Sequence, residues 1–145
     1  TPLTEAEVAL SAPSSNEAAV DKIIDIVADG QPDAIGPMLA RLTAQGVAPV
    51  TICIFTLRHF SALHAAASDP SGPSAALSRA RPPIFGPRRD KMTRQAQAWG
   101  VHRSEDALHS ILEADLKLRS AGQHAPAMAL VERMLIRLAM MTRRK

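Results

Sequence analysis

Apolar residues recur at helical spacing along most of the chain, and no segment alternates with the period of two that a half-buried strand needs. Asn16 is placed to cap a first long helix, with Val20, Ile23, Ile24 and Val27 as its apolar stripe and Gly30 as its stop. Pro32 falls in the first turn of a second helix whose Ile35, Met38, Leu39 and Leu42 face inward, and Gly46 stops it. Gly36 and Pro37 lie inside that pattern, so a late start or a kink is expected there. Pro49 opens a third helix that is apolar nearly all round through Val50, Ile52, Cys53, Ile54, Phe55 and Leu57, the signature of a central, buried element. After the loop 68–74 the pattern allows a short helical turn over 75–80.

The stretch RARPPIFGPRRDKMTRQAQAW, from Arg79 to Trp99, is a stiff proline turn followed by a helix. Pro87 suits its first turn. Met92, Ala96 and Trp99 share one side, with Phe85 expected to enter on that side, while Arg88, Arg89, Lys91 and Arg94 lie mostly on the other. Beyond Gly100, Ser104 is expected to cap a helix with Glu105 and Asp106 in its positive first turn and Leu108, Ile111, Leu112, Leu116 and Leu118 on its apolar side. Asp115 and Arg119 are spaced for an i,i+4 ion pair. A Gly-containing turn covers 120–125, and Pro126 starts a last helix with Val131, Met134, Leu135, Leu138 and Met141 in line. At the other end, Leu3 to Leu10 suits two helical turns with Thr4 and Glu7 as a capping box, and SAPSS after it reads as a linker. The fold class predicted is all-α, a compact bundle of about five to seven helices.

Composition narrows the chemistry. The length fits one domain, or one domain with a remnant of another, and a start at Thr1 suits either a piece of a longer protein or a chain whose initiator Met was removed. Aromatics make up 3% of the chain, too few for a typical sheet protein. Cys53 is the single cysteine, which excludes an internal disulfide and a cysteine zinc cluster; it reads as a small core residue in a reducing, cytoplasmic protein. No apolar run is expected to reach the length of a transmembrane helix, and no signal peptide stands out, so no membrane is expected among the partners. A net charge of +3 is compatible with a nucleic-acid complex without pointing to one.

No phosphate-binding loop and no HExxH occurs, and His59 and His64 stand five apart, one more than a helical metal pair wants. No catalytic residue, cofactor or metal is predicted. Arg58, His59 and His64 are expected to form the exposed rim of the third helix. Arg81, Arg88, Arg89, Lys91 and Arg94 make a basic surface, either solvated or in contact with DNA or an acidic partner. Gln95 and Gln97 beside Arg94 offer base-reading side chains, although no helix–turn–helix precedes them.

The segment RPPIFGPRRDKMTRQAQAW, the helix end EADLKLRSAG and the final MALVERMLIRLA together resemble the C-terminal region of the delta subunit of bacterial DNA polymerase III. Upstream, DGQPDAIGPMLARLTAQGVAPVTICIFTLRHFSALH is similar to the same subunit, so the likeness spans nearly the whole chain. The resemblance implies that residues 1–13 end a preceding AAA+ lid module or linker and that 14–145 form the helical collar of a clamp loader. The implied function is scaffolding: the collar packs against delta-prime and tau/gamma so that the ATP-driven assembly loads the sliding clamp on primed DNA. The clamp itself would be met by a module N-terminal to this chain, and DNA only indirectly. By the same resemblance Phe85, Arg88 and Arg89 match an apolar-then-basic helix start, Trp99 a helix end, Asp115 an acidic position and Arg119 one that is usually Lys. The Ala121–Gly122 loop would face the primer–template region, without an aromatic to stack on a base. The alternative is a helical DNA-binding or adaptor domain using the basic helix 87–99.

Overall fold

Prolines open the helices of the computed structural model and glycines close several of them. The structure describes residues 15–80, 83–120 and 126–142. Among these are six α-helices and no strand: α1 (Ser15–Ala28), α2 (Ile35–Ala44), α3 (Pro49–Ser68), α4 (Pro73–Ser78), α5 (Gly86–Arg119) and α6 (Ala127–Met141). The all-α bundle read from the periodicity is the observed class. The expected helix over Leu3–Leu10, the 1–13 boundary, Arg81 and the Ala121–Gly122 loop lie outside the described residues.

Gly30 ends α1 with φ of 74°, a left-handed turn in which its N–H donates to Val27 O and the N–H of Gln31 donates to Ile26 O. The same bonding pattern closes α2, where Gly46 donates to Thr43 O and Val47 to Leu42 O. Pro32–Ala34 form a 3-10 turn, so α2 starts late, at Ile35, and Gly36 and Pro37 sit in its unbonded first turn. Gly100 breaks α5. Its φ of 72° and ψ of 176° fall in a region reserved for glycine, and the helix becomes two arms, 87–99 and 101–119.

The core collects Val20, Ile23, Ile24 and Val27 from α1, Ile35, Leu39 and Leu42 from α2, and Ile52, Phe60 and Leu63 from α3. Against these lie Met92, Trp99 and Ile111 of α5 and Val131, Leu135 and Leu138 of α6. Each such side chain contributes about 1.5–3 kcal/mol when fully buried. Trp99 meets Phe60 edge to face with ring centroids 4.8 Å apart. Its indole Nε1–H donates to Ala28 O at 2.9 Å, so it also satisfies a carbonyl left over at the end of α1.

The central element is α3, whose main neighbour is α5 and which also meets α1, α4 and α6. With 20 residues and a mean hydropathy of 1.3 it is, by length and composition, long and apolar enough to cross a membrane, which corrects the expectation that no run reaches that length. Here its buried face includes the polar Thr56 and His59, and Val50 at its start remains exposed. Cys53 is buried, with its thiol directed at Ile111 O, and burial pushes its pKa up to about 11, consistent with a core role.

Three local expectations change. Phe85 does not join the Met92–Ala96–Trp99 side: it is 71% exposed, and Ile84 packs inward in its place. Ser104 is not a cap, because α5 resumes at once after Gly100; its buried hydroxyl donates to Gly100 O at 2.6 Å and Val101 O at 3.0 Å. The second arm of α5 buries the small residues Ser104, Ala107 and Ala114 with Ile111, while Leu112 and Leu116 point outward.

Candidate functional site

The strongest concentration of polar chemistry lies where α1, α3 and the first arm of α5 meet. Asp25 lies in the last turn of α1 and Asp29 in the turn just past its end, His59 faces them from α3, and Arg88, Lys91 and Gln95 follow one face of α5 at i, i+3 and i+7. Arg88 Nη1 donates to both oxygens of Asp25, at 3.1 and 2.9 Å, and Lys91 Nζ reaches Oδ2 at 3.5 Å. The Asp25 side chain is 13% exposed and that of Arg88 37%, so the pair sits at the edge of the core.

Gln95 is buried, and its hydrogen bonds determine the state of His59. The amide Nε2 of Gln95 donates to Asp25 Oδ1 at 3.2 Å and Asp29 Oδ1 at 3.1 Å, which uses both of its protons. Its Oε1 must then accept, and His59 Nε2, 2.8 Å away, is the donor. His59 Nδ1 is left without a proton and accepts from Arg88 Nη2 at 3.3 Å. A proton on Nδ1 would face a guanidinium inside the protein. Burial first, and then the charge of Arg88, lower the His59 pKa to about 4, against an opposing contribution from the Gln95 hydrogen bond. The imidazole is therefore neutral at neutral pH and works as a connector.

A groove of about 290 Å³ opens beside this network. Ile24, Phe55, Ala62, Ile84 and Met92 make its apolar walls, and Asp21, Arg58, His59 and Arg88 its polar ones. Partial burial raises the pKa of Asp21, although Arg88 pulls the other way. Arg58 is exposed and lies over the Phe55 ring, 5.5 Å from its centroid. The segment that brings Ile84 here is held by its N–H, which donates to Leu77 O at 3.0 Å, and by Arg89 Nη1, which donates to Ser78 Oγ at 2.8 Å. A second groove of about 440 Å³ runs between the second arm of α5 and α6, with Lys117, Arg133, Arg137 and Glu113 around Ala114, Leu130 and Met134.

The basic residues singled out in the sequence thus separate. Arg88 and Lys91 are occupied by Asp25, and Arg89 turns to Ser78. Arg94 is exposed and has no ion pair among the described residues. Gln95, offered as a base reader, is an internal connector, which leaves Gln97 as the exposed glutamine of that pair. The exposed-rim expectation holds for Arg58, whereas His59 is buried and His64, half-buried, stands 3.9 Å from Glu105. Asp115 and Arg119 do pair, at 3.2 Å. Asp25 and Asp29 were not singled out; the available signal was Gln95 itself, a polar residue set within the Met92–Ala96–Trp99 stripe.

Among the described residues no three His, Cys, Asp or Glu side chains are arranged for a metal ion. Asp25, the most central acid, has its oxygens taken up by Arg88, Lys91 and Gln95. The arrangement binds helices to each other and leaves a small groove with charged edges. No family model, curated protein or solved structure matches the chain.

Proposed function

We propose that the chain is the helical collar of a clamp-loader delta subunit, a scaffolding module without a catalytic step of its own that works in the cytoplasm. The observation that carries the reading is the outward placement of Leu112 and Leu116, 47% and 69% exposed and one turn apart on the second arm of α5. A subunit that packs side by side with others uses such side chains, whereas a free-standing monomer gains nothing from them. The family-like segment RPPIFGPRRDKMTRQAQAW supports it as well, since Arg88, Lys91, Gln95 and Trp99 join α5 to α1 and α3 and keep the outer faces in fixed relation. Delta-prime and tau/gamma are the partners in this reading; the sliding clamp is met by a module outside this chain, and primed DNA indirectly.

The test is a pull-down of the chain with purified delta-prime and tau/gamma from the same source. A complex that survives high salt, and is lost in Leu112→Asp/Leu116→Asp, supports the reading, because apolar contacts are insensitive to screening. Absence of a complex, together with salt-sensitive capture of primed DNA, overturns it in favour of a DNA-binding domain.

A further inference from the structure

The groove beside the polar network lies apart from the outer leucines Leu112 and Leu116. At about 290 Å³ it is smaller than the roughly 300–1,000 Å³ of pockets that enclose a small molecule. It has room for one or two apolar side chains, and its walls of Phe55, Ile84 and Met92 suit them. Phe85, the residue after Ile84, is 71% exposed, so two of the four aromatic residues in the chain stand at or next to this surface while Phe60 and Trp99 fill the core. Aromatic and arginine side chains around a small apolar depression are the composition of protein-binding hot spots.

The charges select the occupant. Arg88 is already committed to Asp25, but Arg58 stands at the groove over Phe55 with no carboxylate partner among the described residues. A guanidinium presents its N–H donors in a planar fork that matches a carboxylate. Asp21 lines the groove from α1, so the groove is polarised, and an incoming acid is drawn toward Arg58 and away from Asp21.

We propose that this groove docks a peptide segment of a partner protein, seating an apolar side chain between Phe55, Ile84 and Met92 while Arg58 receives a carboxylate carried close to it in the segment. The proposal goes beyond the collar reading and does not depend on it, because it concerns a different face from Leu112 and Leu116.

The probe is a display library of short random peptides panned on the full chain, with the enriched peptides synthesised, labelled and titrated by fluorescence anisotropy. The expected peptides carry Asp or Glu within one helical turn of Leu, Ile, Met or Phe. Their binding weakens about tenfold in Arg58→Glu and again when the peptide acid is replaced by Lys, and stays within about twofold in Arg94→Glu. Circular dichroism checks that the variants fold, and Ile84→Ala, a change to the apolar wall alone, gives a second independent loss. No enriched peptide, enriched peptides without an acid, or binding indifferent to Arg58→Glu and Ile84→Ala overturns the proposal. Displacement of the peptides by a single-stranded oligonucleotide at low salt also overturns it and assigns the arginines to nucleic acid. None of these outcomes depends on whether clamp-loader subunits bind.

Discussion

The two arms of α5 have similar apolar spacing and opposite roles. The arm 87–99 turns Arg88, Lys91 and Gln95 toward Asp25, Asp29 and His59, and its single large aromatic, Trp99, bonds to the end of α1. The arm 101–119 turns small residues inward, leaves Leu112 and Leu116 in solvent and has its shortest ion pair, Asp115–Arg119, within itself, with longer, mostly exposed contacts from Glu105 to His64 and from Glu113 to Arg137. Polar side chains are therefore structural on the first arm, and two large apolar ones face solvent on the second. Residue type alone would have assigned the arms the other way round.

Substitutions on the two arms should differ accordingly. Trp99→Ala is expected to cost about 4 kcal/mol, through lost burial, a cavity against Phe60 and an unpaired Ala28 carbonyl, and urea unfolding measures it. Unfolding across pH comes next. His59 is neutral in both states above about pH 6.5; below that the unfolded chain takes up a proton that the folded protein resists until about pH 4. Stability should thus fall as pH drops through this window, by about 3 kcal/mol in all. The raised pKa of Asp21 acts in the opposite sense and offsets part of the loss. His59→Gln should flatten the slope, and a slope unchanged in that variant would remove His59 as its cause.

Asp25→Ala removes the carboxylate that pairs with Arg88 and Lys91 and one of the two acceptors of Gln95, which keeps Asp29. It should cost about 2–3 kcal/mol, below the figure for a fully buried pair because Arg88 keeps contact with water. Gly100→Ala probes the junction of the arms. Nothing lies within 4 Å of the added Cβ, so the expected loss of about 2 kcal/mol is backbone strain alone. Smallest is Asp115→Ala on the second arm, expected within about 0.5 kcal/mol because Arg119 is mostly exposed. A loss as large as that of Asp25→Ala would end the distinction between the arms.

Helix number, helix ends and most of the core were legible from local signals. Pro49, Pro87 and Pro126 marked starts, Gly30 and Gly46 marked stops, and the stripes of α1, α2 and α6 are buried as their spacing predicts. These features depend on residues within a few positions of each other, where backbone geometry and helical period leave little choice. The site was legible only in part. Arg88 was singled out for its charge, but whether that charge faces DNA or an acid depends on Asp25, 63 positions earlier in the chain.

The all-α class, the succession of helices and the position of the break at Gly100 follow from the order of apolar residues, prolines and glycines alone, because each is decided by sterics and hydrogen bonding within a turn or two. Only the tertiary structure decided that Gln95 connects Asp25, Asp29 and His59, that His59 is buried and neutral, and that Leu112 and Leu116 face water. Those outcomes depend on which helix lies opposite, and a repeat of apolar positions says that a face is covered without saying by what.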